Sequence, residues 1–118
     1  MPTPEEIPRI EIDELKHLMD LGAEMAIVDT HPRAYYEEHH IEGAISIPWT
    51  MEGIPWEEVQ ELSKEKLTIT YCDCGPGESD SAEIASRLME MGFMNVKVLA
   101  DPSLRGWIER GYPIAGGS

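Results

Sequence analysis

The stretch from Leu67 to Met91 constrains the fold most, because it combines a strand pattern, a glycine-rich break and a helix pattern. Apolar side chains alternate with β-branched threonines from Leu67 to Tyr71, which predicts a strand. Gly75-Pro-Gly77 interrupts regular structure, and apolar residues at helical spacing then follow Asp80. The segment therefore predicts a strand, a loop and a helix in immediate succession.

The rest of the chain repeats this alternation of strand and helix patterns. Further strands are predicted at Arg9–Ile12, Met25–Asp29, Ala44–Ile47 and Asn95–Leu99, and helices at Asp13–Leu21, Arg33–His39 and Trp56–Leu62 and from Asp101 onward. The 118 residues suffice for one core but not for two. We therefore expect one domain of the α/β class with a mainly parallel sheet.

Cys72 follows the predicted strand and faces a loop that leads into a helix N-terminus. Loop amides and the positive end of a helix dipole stabilise an anion such as a thiolate. Such surroundings lower a cysteine pKa, and the thiolate is the nucleophilic form. The alternative is a buried cysteine that acts as a small apolar residue. The glycine-rich strand-to-helix loop favours the nucleophile.

Composition excludes several classes of function. The formal net charge of −14 opposes binding to nucleic acid and to anionic membranes, and favours solubility or a basic protein partner. No apolar run is long enough for a membrane helix, and the acidic, proline-rich start does not resemble a signal peptide, so we expect a cytoplasmic protein.

Two cysteines two positions apart do not have zinc-ligand spacing, and His31, His39 and His40 form no recognisable ligand pair with them, so no metal is expected.

Several of these stretches together resemble a rhodanese-like domain over residues 9–114, which leaves 1–8 as a loose lead-in and 115–118 as a tail. The matching pieces are Asp29 with His31-Pro-Arg33, the run Tyr36-Glu-Glu-His-His40-Ile-Glu-Gly43-Ala-Ile-Ser-Ile-Pro48, the pair Tyr71-Cys72, the run Met91-Gly-Phe93 to Leu99, and Gly106-Trp107 to Pro113. The resemblance implies a five-stranded parallel sheet with helices on both faces and the active loop at its carboxyl edge.

The resemblance also implies sulfur transfer. The Cys72 thiolate would take the outer sulfur of thiosulfate or of a persulfide donor, including one on a protein. It would then pass that sulfur to a thiol or to cyanide. No cofactor is needed, because the cysteine carries the sulfur covalently.

The other candidate residues are expected to have structural roles. Asp29 is expected to anchor loop amides, and His40 to hold backbone carbonyls near the Ile41–Gly43 turn. Trp49 is the tryptophan most expected to border a pocket. The active loop that would surround Cys72 includes Asp73, Cys74, Gly75, Gly77, Glu78, Ser79 and Ser81.

The loop departs from the usual Cys-x-x-Gly-x-Arg-Ser pattern, because no arginine follows Gly75. Carboxylates of Asp73, Glu78 and Asp80 stand nearby instead and would repel an anionic donor such as thiosulfate. Arg33 could reach the site as a substitute, or it could pair with a surface carboxylate.

Cys74 leaves two roles open. It could attack a persulfide or sulfenic acid on Cys72, as resolving cysteines do, or it could be a passive loop residue. A bridge across one intervening residue would be strained and easily reduced, which favours the passive role. Two alternatives to sulfur transfer also stay open: a catalytically silent module that binds a partner through its acidic surface, and a thiol–disulfide redox protein that uses Cys72 and Cys74.

Overall fold

A computed structural model describes residue 3 and residues 6–50, 56–73 and 79–116. Seven strands and five helices lie in this part of the chain. The strands are β1 (Arg9–Ile10), β2 (Met25–Asp29), β3 (His40–Ile41), β4 (Ile45–Ser46), β5 (Leu67–Tyr71), β6 (Val96–Leu99) and β7 (Ile114–Ala115). The helices are α1 (Ile12–Asp20), α2 (Arg33–Glu38), α3 (Trp56–Gln60), α4 (Ser79–Glu90) and α5 (Leu104–Glu109). None of these helices has the length and apolar content needed to cross a bilayer.

Five strands form one parallel sheet in the order β1-β6-β5-β2-β4. The predicted α/β class and the implied five-stranded sheet are therefore confirmed. The central strand β5 pairs with β2 in a register that places Tyr71 opposite Asp29. Since parallel strands end at the same edge, the chain leaves β2 and β5 at neighbouring points of that edge.

Helices cover both faces of the sheet, as expected for strands that are apolar on both sides. Val28 and Val98 belong to the core beneath α3 and α4. Ile27 and Ile69 belong to the opposite core, against α1 and α5. Thr70, which is fully buried, donates its hydroxyl to the carbonyl of Ser81 at 2.9 Å. This hydrogen bond joins β5 to the first turn of α4.

The packed unit extends past both boundaries predicted from the sequence. Ile114–Ala115 pairs antiparallel with His40–Ile41, so Ala115 belongs to a strand and not to a tail. At the other end Ile7 is buried, and the Pro8 carbonyl accepts a hydrogen bond from Val98, so these two residues pack on the core. The sequence pattern missed β3 and β7, because each has only two residues and the two strands pair with each other across a long stretch of the chain.

Candidate active site

Cys72 is the first residue beyond β5 and lies at the carboxyl edge of the sheet. Its Sγ is 3.4 Å from the hydroxyl oxygen of Ser81, in the first turn of α4. The side chain is 1% exposed, and Ser81 is fully buried. A sulfur against the first turn of a twelve-residue helix lies at the positive end of that helix's dipole.

Cys72 is oxidised in the structure, where it forms a disulfide bond. The chain's other cysteine is Cys74, which lies outside the described residues. One intervening residue makes a strained ring, which disfavours a bridge between the two cysteines, and the passive role of Cys74 stays a prediction. Strain makes a disulfide easier to reduce but does not prevent it from forming.

Two residues at the start of α5 hold the Cys72 backbone from both sides. The Cys72 amide donates to Ser103 Oγ at 3.1 Å, and the Leu104 amide donates to the Cys72 carbonyl at 3.0 Å. Ser103 is buried and has φ of 57° and ψ of −128°, a backbone region that is costly for any residue except glycine. The strained serine thus places a hydrogen-bond acceptor directly on the cysteine amide.

Ser103 therefore gives a matched pair of substitutions. Ser103→Ala leaves the buried Cys72 amide without an acceptor and keeps the strain, so we expect a loss of about 1–3 kcal/mol in the free energy of unfolding. Ser103→Gly loses the same acceptor but relieves a strain of about 1–2 kcal/mol. Urea unfolding of both should therefore show the glycine variant as the more stable. If the alanine variant is instead the more stable of the two, the backbone conformation of Ser103 does not lower the free energy of unfolding.

Asp29 lies at the centre of a buried hydrogen-bond network. The Tyr71 hydroxyl donates to Asp29 Oδ2 at 2.7 Å and accepts from the Ile41 amide at 3.0 Å. Asp29 Oδ1 accepts the backbone amide of His31 at 2.8 Å. Burial and the neighbouring Asp29 carboxylate raise the pKa of Tyr71, so this hydroxyl stays protonated as a donor. The loop amide that Asp29 binds is therefore that of His31.

His31 lies beside this network with one ring nitrogen buried. Its Nδ1 is 3.0 Å from Asp29 Oδ1, an ion-pair contact whose geometry falls outside that of a hydrogen bond. Burial acts to lower the pKa of His31, but the carboxylates of Asp29, Asp73 and Asp80 outweigh it, and the pKa is raised above 6.5. These carboxylates therefore favour the protonated form of His31.

A cavity of about 350 Å³ opens at the same edge of the sheet. It is a size that accommodates small ligands. Two of its lining residues adjoin Cys72: Asp73 follows it in the chain, and Leu104 binds its carbonyl. Its described lining residues are His31, Tyr35, Glu38, His39, Asp73 and Leu104. The lining therefore joins aromatic and imidazole rings with two carboxylates.

Arg105 is a site residue that the sequence analysis missed. Its Nη2 is 3.2 Å from Asp73 Oδ1, and the two side chains are 60% and 40% exposed. An arginine therefore stands beside the active loop, although α5 and not the loop supplies it. Sites in parallel-sheet proteins form at the carboxyl ends of the strands. This rule could have identified three residues from the sequence, because each follows the carboxyl end of a strand: His31, Ser103 and Arg105.

The other predicted site residues lie away from the cavity wall or outside the described residues. Arg33 begins α2 and is exposed, and it is not among the described residues that line the cavity. His40 Nδ1 lies 2.7 Å from the Tyr36 carbonyl, and its ring stacks on Tyr36. Trp49 donates its Nε1 hydrogen to Glu83 and does not border this cavity. Ser79 begins α4, whereas Cys74, Gly75, Gly77 and Glu78 lie outside the described residues.

A potential metal site would need several ligating side chains close together. Within the described ranges, no three histidine, cysteine, aspartate or glutamate side chains are grouped in that way. His31, His39 and Asp73 share the cavity wall but do not form such a group.

Comparison with known proteins identifies the family. The model of the rhodanese-like domain matches residues 11–109, and the chain belongs to this family. No curated protein sequence matches.

Solved structures agree with this assignment. The BH2092 protein of Bacillus halodurans is 32% identical with a TM-score of 0.82, over 93% of this chain and 77% of that one. The rhodanese-like domain of Alr3790 from Anabaena sp. is 25% identical with a TM-score of 0.78, over 92% and 79%. A thiosulfate sulfurtransferase from Pseudomonas aeruginosa is 25% identical with a TM-score of 0.75. That match covers 95% of this chain and 21% of that protein.

Proposed function

We propose that this protein is a sulfurtransferase that carries sulfane sulfur as a persulfide on reduced Cys72. The observation that carries the proposal is the contact between Cys72 Sγ and the first turn of α4, at the carboxyl edge of a rhodanese-like sheet. The dipole at that helix end favours a thiolate. Similarity to a thiosulfate sulfurtransferase supports the same chemistry.

The proposed reaction has two half-reactions on one sulfur atom. The Cys72 thiolate attacks the outer sulfur of the donor, and the donor's sulfur–sulfur bond breaks. The leaving group keeps the electron pair, as sulfite from thiosulfate or as a thiolate from a persulfide. A thiol or cyanide then removes the outer sulfur and restores the Cys72 thiolate.

The charges around the site favour a persulfide donor over thiosulfate. Asp73 and Glu38 line the cavity, and the chain carries a net charge of −14. A doubly charged anion meets repulsion there that a thiol-based donor avoids. A cytoplasmic location belongs to the same proposal, because a reducing compartment keeps Cys72 in the thiol form.

The test is the intact mass of reduced protein after incubation with thiosulfate and, separately, with a low-molecular-mass persulfide. We expect a gain of one sulfur atom that is absent from Cys72→Ser and present in Cys74→Ser. No gain with either donor, with Cys72 shown to be reduced and reactive toward an alkylating agent, would exclude the enzyme. It would leave a silent module whose acidic surface binds a partner.

The oxidised state of Cys72 favours a second candidate, a thiol–disulfide redox protein. In that case a disulfide substrate would accept two electrons from the two thiols, and the protein would lose two hydrogens. The same mass measurement separates the candidates. A loss of two hydrogens that needs both cysteines, without any gain of sulfur in Cys74→Ser, would support the redox function.

A further inference from the structure

The cavity beside Cys72 presents acidic and proton-accepting groups to a ligand. Glu38 comes from α2, and Asp73 comes from the segment after β5, so carboxylates reach the cavity from two elements. Tyr35 and Leu104 add apolar surface. A small molecule with an apolar body and a positive charge complements this lining, whereas an anion does not.

His31 is oriented so that one ring nitrogen is left for the ligand. Nδ1 is buried against Asp29, and the ring lines the cavity, which leaves Nε2 as the nitrogen that can meet a bound molecule. Edge contacts hold the ring between Tyr35, at a centroid distance of 6.5 Å, and Tyr71, at 6.2 Å. A fixed imidazole backed by a buried carboxylate is an arrangement suited to accept a proton.

We propose that this cavity binds the sulfur-accepting thiol, prefers a small thiol that carries an ammonium group, and uses His31 Nε2 to take the thiol's proton. The proposal rests on the proposed function and adds the substrate class and the base. It also explains the unusual charge of the site, because the carboxylates that repel thiosulfate attract an aminothiol.

The step balances without any other reactant. The thiol S–H bond breaks and its proton passes to Nε2. The thiolate attacks the outer sulfur of the Cys72 persulfide, and a new sulfur–sulfur bond forms to the acceptor. The bond between that sulfur and Cys72 Sγ breaks, and Cys72 keeps the electron pair as a thiolate. The imidazolium then loses its proton to solvent.

The surroundings of His31 determine how the step depends on pH. The groups that face the ring are the Asp29 carboxylate and the rings of Tyr35 and Tyr71, and the charges of Asp73 and Asp80 also act on it. Burial acts to lower the pKa of His31, but the carboxylates of Asp29, Asp73 and Asp80 outweigh it and raise the pKa, so the neutral base forms at a higher pH than in a free imidazole. We expect discharge to thiols to slow as pH falls through this pKa, because protonated His31 cannot accept the thiol's proton.

The experiment separates loading of Cys72 from its discharge. Reduced protein is charged with a low-molecular-mass persulfide, desalted and checked by intact mass. Its discharge is then timed against cysteamine, 2-mercaptoethanol and mercaptoacetate, with each rate divided by the rate of the same thiol toward a low-molecular-mass persulfide. We expect rates to fall in that order, by about tenfold from the cationic to the neutral thiol. Failure to charge would overturn the proposed function itself, and this proposal with it.

Variants test the two groups separately. Glu38→Gln should lower the ratio of the discharge rate with cysteamine to that with 2-mercaptoethanol. Glu37 is an exposed neighbour on α2 that is not among the described lining residues, so Glu37→Gln should leave this ratio unchanged. His31→Gln should slow discharge to every thiol by about a hundredfold. It should leave discharge to a tertiary phosphine unchanged, because a phosphine takes the sulfur without losing a proton.

Two results would overturn the proposal although charging succeeds. One is discharge that does not depend on the charge of the thiol. The other is a His31→Gln variant that slows the phosphine as much as the thiols, since that would indicate a disturbed site and not a missing base.

Discussion

Tyr71→Phe is expected to lower the free energy of unfolding by about 2–4 kcal/mol, although it removes one oxygen atom. Tyr71 is fully buried, and its hydroxyl both donates to Asp29 and accepts from the Ile41 amide. The substitution leaves one carboxylate oxygen and one amide without a partner, and burial excludes water as a replacement. Leaving a buried group unsatisfied costs about 1–3 kcal/mol, and more when the group is charged.

Tyr112→Phe is the matched control. The Tyr112 hydroxyl also donates to a carboxylate, Asp13 Oδ1 at 2.6 Å, but this pair is exposed, and water can replace the lost hydrogen bond. We expect its effect in urea unfolding to stay within about 0.5 kcal/mol. Similar losses for the two variants would show that the Asp29 network is not the stabilising feature that its burial indicates.

Arg105→Gln is expected to slow loading of Cys72 from thiosulfate about tenfold, while loading from an uncharged persulfide changes little. The Arg105 guanidinium lies against Asp73, the residue after Cys72, and is exposed enough to bind an anion. A hydrogen bond to a charged group contributes about 1.5–3 kcal/mol, which corresponds to tenfold or more in affinity. Exposed ion pairs contribute about 0–1 kcal/mol to stability, so the protein should remain folded.

Asp73→Asn should act in the opposite direction. It removes a repelling carboxylate and releases Arg105 from its ion pair, so loading from thiosulfate should become faster. In the Arg105→Gln background this gain should shrink, and a double-mutant cycle measures the difference.

Arg110→Gln is the control for net charge, because Arg110 pairs with Asp13 and not with Asp73. If it slows thiosulfate loading as much as Arg105→Gln does, the effect is one of overall charge. Arg105 would then have no specific role in binding the donor.

Local sequence patterns were enough to predict the fold class and the position of the cysteine. Alternating strand and helix patterns predict a parallel sheet, and the apolar run Met25–Asp29 indicates a strand covered on both faces. Tyr71 marks the end of β5, so Cys72 had to lie at the carboxyl edge. Both features depend on the periodicity of apolar residues within short stretches of the chain, which the sequence shows directly.

The side chains that meet at that edge are brought together by long-range contacts of the fold. Arg105 is 32 residues away from Asp73 in the chain, and Ser103 binds an amide 31 residues away, so no local pattern links them. The register that places Asp29 opposite Tyr71 brings His31 to the cavity. Such contacts depend on how strands pair and where each helix begins, and the spacing of residues along the chain does not encode these distances.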